Sequence, residues 1–245
     1  MASSSSMPSL MKDEEPRNWA ELPSELTFSI LNRLGVIDIL QNAPKDLESM
    51  CRNAVDRSQG GLLEIDIWDY GTDDLLNYIA DRSSNLRSLK LPNCFLVTDE
   101  GVAKAVVKLP LLEELDISFC GFTGDSVRVV GQSCPKMKMF LATEFLHCES
   151  NCESNDIAIA IGETMPELRY LELGWNRLNN TGLNAILDGC PHLEHLDLSF
   201  CFNLTHVSLM EMRLPERIRV LRLPDVSAAD LVMILNWCSN STPLL

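Results

Sequence analysis

Apolar residues follow two different spacings along most of this chain. In residues 86–94, LRSLKLPNC, the central leucines stand two apart, as in a strand with one buried face. The segment that follows contains Val102, Ala103, Val106 and Val107, which stand three or four apart and so share one face of a helix. The chain is therefore predicted to alternate short strands with amphipathic helices.

The strand pattern is an internal repeat of the form L-x-x-L-x-L-x-x-(C/N). Its seven copies begin at residues 62, 86, 112, 137, 168, 193 and 218, in steps of 24 to 31 residues. A strand and a helix in each unit of about 20–29 residues is the signature of the leucine-rich repeat, whose units stack into a solenoid. The predicted fold is an α/β leucine-rich-repeat solenoid of the cysteine-containing class over residues 46–226.

Polar caps and prolines mark the predicted helix boundaries. Thr72, Thr98 and Asn180 stand where N-caps are needed, and acidic residues after the two threonines favour the positive end of a helix dipole. Prolines that cannot continue a helix precede four of the strand motifs, at Pro110, Pro135, Pro166 and Pro191.

One repeat step is 31 residues long, and its extra residues fall in 145–155. Insertions in solenoids emerge as loops on one rim. This one contains His147, Cys148 and Cys152, but a structural zinc site needs four ligands and the chain has no second Cys pair of suitable spacing. We therefore predict a surface loop and no metal.

The nine cysteines are odd in number and occur singly, which favours reduced, buried thiols. At the last position of the strand motif they would act as small hydrophobes, as at Cys94, Cys120 and Cys201. The N-terminus lacks the pattern of a secretory signal, and no stretch approaches the roughly 18 apolar residues of a membrane span. We expect the protein in the nucleus, the cytoplasm or both.

Charge and missing motifs exclude several classes of function. Twenty Lys and Arg against 35 Asp and Glu give a formal net charge of −15, so phosphate backbones and anionic membranes would repel the chain. The chain has no G-x-S-x-G, P-loop, H-E-x-x-H or G-x-G-x-x-G motif. We predict a non-catalytic protein without a cofactor and without a nucleic-acid or membrane partner.

The chain before the repeats begins with a Ser-rich, acidic stretch, 1–16, predicted to be a disordered arm. Residues 19–34 then read W-x-E-L-P-x-E-L-x-x-x-I-L-x-R-L, which resembles the first half of an F-box. With the repeats, and with the phrases at 71–86 and 109–118, the chain resembles plant F-box/LRR proteins of the Skp-interacting-partner type. The resemblance implies a subunit of an SCF-type cullin ubiquitin ligase that binds the Skp adaptor through Leu22, Pro23, Leu26, Ile30, Leu31 and Leu34.

The F-box resemblance stops early. The family continues with a Val-x-x-x-Trp-(Arg/Lys) phrase and a Pro-x-x-Trp, and this chain has neither. It passes instead from Pro44 into residues 46–57, which resemble the helix before the family's first strand. We predict a partial F-box at 17–45 with weakened adaptor binding, and a C-terminal segment, 227–245, that forms a helical cap or an exposed tail.

Target binding is predicted on the sheet face that the helices leave open. One outward residue per strand forms a row of mostly charged positions, in which Glu172 and Asp197 stand side by side despite their like charges. Acidic and aromatic residues together favour a basic segment of another protein. A merely solvated face remains the alternative. The predicted contacts are Asp66, Trp68, Asp116, Tyr170, Glu172, Trp175, His195, Asp197 and Phe200.

Three functions stay open from the sequence. The first is the substrate receptor of an SCF-type ligase, which binds a target through the repeats and the adaptor, and through it a cullin, by its N-terminal helices. The second is a repeat scaffold that binds targets without recruiting the ligase and competes with full-length relatives. The third is an inert truncated copy that folds poorly, because a shortened cap exposes apolar surface.

Overall fold

The computed structural model describes residues 44–143, 155–201, 203–204 and 215–222. Six helices are found there: α1 Pro44–Arg57, α2 Asp73–Arg82, α3 Asp99–Val106, α4 Gly124–Ser133, α5 Asp156–Thr164 and α6 Asn180–Gly189. The seven strands are β1 Glu64–Asp66, β2 Ser88–Lys90, β3 Glu114–Asp116, β4 Met139–Leu141, β5 Tyr170–Glu172, β6 His195–Asp197 and β7 Val220–Arg222. The predicted arm, the partial F-box up to residue 43 and the segment 227–245 lie outside the described residues.

The strands form one parallel sheet in the order β1 to β7, which is the order of the chain. Equivalent motif positions are in register, so that Glu64 pairs with Ser88 and Ser88 with Glu114. A parallel sheet in sequence order, with a helix in most connections, is the arrangement of a solenoid of strand–helix repeats. The predicted leucine-rich-repeat architecture and its seven strands are confirmed.

The core lies between the sheet and the helices. The middle residue of each strand points into it and is buried in the first six strands, at Ile65, Leu89, Leu115, Phe140, Leu171 and Leu196. The helices contribute one apolar face each, such as Leu75, Leu76 and Ile79 of α2. Because both elements of a repeat bury their apolar side in one layer, the core runs without a break from repeat to repeat.

The last residue of the strand motif closes the turn below each strand. Cys94 Sγ donates to the carbonyl of Ile67 in the preceding repeat at 2.9 Å. Asn176 fills the same position differently, since its Nδ2 donates to the Leu173 carbonyl at 2.9 Å. The cysteine-to-carbonyl bond recurs at Cys120 and Cys201. These thiols have a structural role, as the sequence predicted for this position.

Burial should make five of the cysteine thiols slow to react. It raises the pKa of Cys94 to about 11 and that of Cys134 to about 12; about 12 also holds for Cys51, Cys120 and Cys190. Since the thiolate is the nucleophile, we expect iodoacetamide at pH 8 to leave all five unmodified in the native protein and to modify them in urea, as measured by peptide mass spectrometry. Rapid modification without urea would contradict the burial described here.

The same pKa shifts predict a loss of stability in alkali. An unfolded thiol loses its proton near its ordinary pKa of 9.0, whereas the folded one keeps it up to about 11 or 12. The unfolded state is therefore favoured increasingly as the pH rises above 9. We expect the free energy of unfolding to be independent of these thiols below pH 9 and to fall between pH 9 and 12. The free energy of unfolding of the Cys134→Ala variant should fall less over that range.

Aspartates at the start of the helices link each repeat to the next. The carboxylate of Asp73 accepts the backbone N–H and the hydroxyl of Thr98 at 2.8 and 2.7 Å. Asp99 accepts the same two groups of Thr123, both at 3.1 Å. These bonds explain why an acidic residue follows the capping threonine: it sits at the helix N-terminus and also ties down the next cap.

The predicted N-caps are confirmed at two positions and wrong at one. The Thr72 and Thr98 hydroxyls accept from Leu75 N and Gly101 N, both at 3.1 Å. The cap of α6 is Asn179, not Asn180, and it accepts from Thr181 N at 2.8 Å. Either asparagine could cap in isolation. Asn179 takes this role because its N–H also donates to Asn155 of the previous repeat at 3.0 Å, so the helix begins at Asn180.

Candidate protein-binding face

The first and third residues of every strand project from the side of the sheet that carries no helix. We call these fourteen positions the open face. The first residues are Glu64, Ser88, Glu114, Met139, Tyr170, His195 and Val220. The third residues are Asp66, Lys90, Asp116, Leu141, Glu172, Asp197 and Arg222. Most keep some accessible surface, so the predicted row of outward residues exists as one continuous surface.

The end of the open face at β1 to β3 is acidic. Asp66 is exposed, and Asp116 is half-buried with its Oδ1 accepting from Ser118 N at 2.9 Å. Lys90 stands between them in the register and is the one cation of these three strands on this face. Trp68, two residues beyond β1, is 54% exposed. The structure thus brings three of the predicted contacts to one end of the face.

The middle of the open face is apolar. Met139 and Leu141 of β4 are both half-buried and separate the acidic strands β1 to β3 from the strands β5 and β6. The face therefore carries charge at its two ends and an apolar strip between them.

Aromatic rings are stacked in pairs at β5 and β6. Tyr170 and His195 lie 4.0 Å apart between ring centroids, with an angle of 12° between the planes. Trp175 and Phe200 lie 4.3 Å apart at 24°. The residues of each pair are 25 positions apart, the local repeat length, so the pairing follows from the stacking of equivalent positions. All four are among the contacts that the sequence predicts, whereas their pairing is seen only in the structure.

Trp175 and Phe200 occupy a left-handed turn position that recurs after the strands. Its φ is +60° at Trp175 and +62° at Phe200 and Phe119, and the same position is taken by Asp69 and Asn93. Residues with a Cβ adopt this conformation at a cost of about 1–2 kcal/mol, least for Asn and Asp. The repeat geometry imposes the turn, and aromatic residues at three of its copies line the same rim of the sheet. The sequence shows the aromatic residues at 119, 175 and 200, each three positions after a strand, but the left-handed turn is seen only in the structure.

Asp197 is a structural residue rather than an accessible contact, which corrects its place among the predicted contacts. It is 4% exposed. Its Oδ1 accepts from Ser199 N at 2.9 Å and from Ser199 Oγ at 2.6 Å, and its Oδ2 pairs with Arg222 at 3.1 Å. Glu172 does stand beside it in the register, as expected. The like charges are tolerated because Arg222 on the next strand neutralises Asp197.

Removing that cation is expected to destabilise the fold. Arg222→Ala leaves Asp197 buried beside Glu172 without a counter-ion, and should lower the free energy of unfolding by about 1–2 kcal/mol, because the exposed arginine is partly screened by solvent. Urea unfolding measures the loss. The matched control is Arg219→Ala, whose exposed ion pair with Glu194 should contribute under about 1 kcal/mol. Equal losses would contradict a special role for Arg222.

Glu172 differs from its neighbour in having no cation. Its carboxylate accepts the Thr143 hydroxyl at 3.3 Å and the Tyr170 hydroxyl at 3.5 Å, and it forms no ion pair within the described residues. Burial, together with the nearby charges of Glu172 and Asp197, raises the pKa of Tyr170. Tyr170 therefore stays protonated at neutral pH and can donate to the carboxylate.

The sequence reasoning missed a ladder of ion pairs at the edge where the strands begin. Glu113 lies between Arg87 and Lys138, with 2.6 Å to the lysine. Glu194 lies between Arg169 and Arg219, at 2.8 and 3.1 Å. The pair with Lys138, more than that with Arg87, lowers the pKa of Glu113. These charges occupy the second position of the strand motif, where the sequence could have revealed them. With four cations and two carboxylates, this edge is more basic than the open face.

Several predicted residues lie outside the described part of the chain. These are the adaptor contacts Leu22, Pro23, Leu26, Ile30, Leu31 and Leu34, and the loop residues His147, Cys148 and Cys152. Within the described ranges, no group of three His, Cys, Asp or Glu residues is placed to hold a metal ion. None of the described helices has the length and apolar character needed to cross a membrane.

Comparison with known proteins identifies the repeats and their relatives. The Leucine Rich repeat family profile matches residues 108–130, 165–187 and 189–205. F-box/LRR-repeat protein 23 of Arabidopsis thaliana is 55% identical over 92% of this chain, which spans 57% of that relative's length. F-box protein SKIP19 of the same plant is 50% identical over 94% of this chain and 85% of its own length. F-box/LRR-repeat protein 9 is 46% identical over 84% of this chain and 97% of its own length.

These alignments are longer than the part of this chain that they cover. The alignment with F-box/LRR-repeat protein 23 has 259 positions, whereas 92% of 245 residues is about 225, so about 34 aligned positions have no residue here. F-box protein SKIP19 is 50% identical across most of both chains, and proteins that similar belong to one family. This chain belongs to the F-box/LRR-repeat proteins of plants.

Proposed function

We propose that this protein is a substrate receptor of an SCF-type ubiquitin ligase. The repeats bind the target through the open face, the N-terminal segment 17–45 binds a Skp adaptor, and the adaptor connects the chain to a cullin. The observation that carries the proposal is family membership joined to an uncovered sheet face with charged and aromatic ends. Ubiquitin transfer would then take place on other subunits, with this chain supplying proximity.

The open face supports target binding in its chemistry. Partly accessible aromatic rings supply contact area, and the acidic side chains of β1 to β3 attract a partner of opposite charge. The net charge of −15 acts in the same direction over longer distances. A basic segment of a protein fits this face better than an acidic segment or a nucleic acid.

A second function is favoured by the missing positions. About 34 aligned positions of the relative have no counterpart here, and the sequence lacks the Trp-containing phrases of the rear half of the F-box. If that half is needed for the adaptor, the chain binds targets without recruiting the ligase and competes with its full-length relatives.

Co-purification with a Skp adaptor distinguishes the two functions. The chain is tested beside a version that carries, between residues 43 and 44, the F-box segment of F-box/LRR-repeat protein 23, and beside Leu26→Asp as the matched negative variant. The receptor function predicts that the unmodified chain retains the adaptor at low micromolar concentration and that Leu26→Asp does not. Binding by the restored version alone selects the competitor, and binding by neither version contradicts both the adaptor role and the F-box resemblance.

A further inference from the structure

We propose that the β5–β6 end of the open face is an arginine-binding subsite. Glu172 accepts hydrogen bonds from the guanidinium of a target side chain, and the rings of Tyr170 and Trp175 flank it. This inference rests on the proposed target-binding role of the open face. The proposed function requires only a basic segment of the target, whereas this inference specifies an extended segment with an arginine over β5.

The first observation is a partly buried carboxylate that lacks a cation. Three carboxylates of the strands and their flanks are neutralised within the fold: Glu113 by Lys138, Glu194 by Arg169 and Asp197 by Arg222. Glu172 shares the lack of an ion pair with Glu114 and Asp116 of β3, and what sets it apart is the stacked ring of Tyr170, whose hydroxyl donates to it. Glu172 receives only two long hydrogen bonds from neutral hydroxyls. Its neighbour Asp197 is already paired with Arg222. A cation from a target would neutralise Glu172 as the cations of the fold neutralise Glu113, Glu194 and Asp197.

The second observation is the geometry of the rings at this end of the open face, of which Tyr170 contacts Glu172 through its hydroxyl. The Tyr170–His195 and Trp175–Phe200 pairs are each nearly parallel, and all four residues are half-buried, with part of their surface in solvent. A guanidinium is planar and weakly hydrated, so it can stack on a ring while its fork of N–H groups meets a carboxylate. A lysine ammonium is compact and strongly hydrated and would gain mainly the charge attraction.

The rest of the open face fits a segment that crosses the strands. Neighbouring strands are about 4.8 Å apart, and an extended chain advances about 3.4 Å per residue. An arginine over β5 therefore puts a residue one or two positions away over the apolar pair Met139 and Leu141. A residue about three positions away lies over β3, where Glu114 and Asp116 favour a lysine. The pattern Lys-x-Leu-Arg meets all three strands.

The test uses three peptides of the form acetyl-Lys-Ala-Leu-X-Ala-amide, in which X is arginine, lysine or citrulline. Dissociation constants for the full chain come from NMR titration. We expect the arginine peptide to bind about tenfold more tightly than the citrulline peptide and several-fold more tightly than the lysine peptide, as one charge-assisted bidentate contact allows. Its binding should shift the ring signals of His195 and leave those of the exposed His192, in the turn before β6, unchanged.

Two isosteric variants locate the contact. Glu172→Gln should weaken the arginine peptide about tenfold and leave the citrulline peptide unchanged, whereas Glu167→Gln removes the same charge from the exposed turn before β5 and should change neither. Thermal unfolding of both variants checks that the fold persists. Equal binding of arginine and lysine peptides, equal effects of the two variants, or no binding of the arginine peptide would each overturn the proposal. Adaptor binding is measured separately, so this failure is distinguishable from a failure of the receptor function.

Discussion

Phe140→Ala is expected to lower the free energy of unfolding by about 3–5 kcal/mol, the range for a fully buried phenylalanine. Phe140 is the middle residue of β4, the central strand of seven, and it has no exposed surface. Truncation removes its transfer free energy and leaves a cavity that the neighbouring strands can only partly fill. Because the repeats are stabilised by their neighbours, a defect at the centre weakens the interfaces on both sides. Urea unfolding followed by circular dichroism measures the loss.

Phe95→Ala is the matched control for this substitution. Phe95 is 60% exposed in the turn after β2, so the same truncation should cost under about 1 kcal/mol. A loss at Phe140 no larger than the loss at Phe95 would contradict the continuous core described for these repeats.

Gly189→Ala is expected to destabilise the protein although alanine is the better helix former. Gly189 is the last residue of α6, and a Cβ added there would overlap the backbone carbonyl of Gly162 in α5. The obstacle is main chain, so the two helices must separate, and we expect a loss of about 2–3 kcal/mol. Without that contact, the exchange would raise stability by up to about 1 kcal/mol. The sign of the change therefore reports how closely α5 and α6 pack.

The control for helix propensity is Asp188→Ala, one residue earlier on the exposed side of α6. Its effect on the unfolding free energy should lie within about 0.5 kcal/mol. A Gly189→Ala variant as stable as the parent, or more stable, would mean that α5 and α6 do not approach each other at these glycines.

The fold could be predicted from the sequence because the same strand motif occurs seven times at nearly regular spacing. Any one strand motif, such as the weak copy at 137–145, could be misread alone. In register with six others it predicted β4 correctly, at Met139–Leu141. The N-cap of α6 was missed by one residue, because its position depends on Asn155 of the preceding repeat and not on the local sequence.

The sequence predicted which residues of the candidate site are neighbours, but not which of them are buried or paired. Alternation along the strands placed Glu172 and Asp197 side by side on the open face, as the register confirms. It could not show that Asp197 is buried, since that depends on Arg222 and on the Ser199 turn. The ring pairs Tyr170–His195 and Trp175–Phe200 likewise depend on how adjacent repeats stack. Sequence spacing gives the neighbours, whereas partners across repeats decide which groups remain available.

Native mass spectrometry of the chain mixed with a Skp adaptor and the arginine peptide tests the central claim most directly. The claim is that one chain of 27.4 kDa binds the adaptor through its N-terminal segment and a target segment through its repeats at the same time. The receptor function predicts a single species with one copy of each component, from which Glu172→Gln removes the peptide and Leu26→Asp removes the adaptor. A spectrum that contains only two-component complexes, so that peptide and adaptor are never held together, would contradict it.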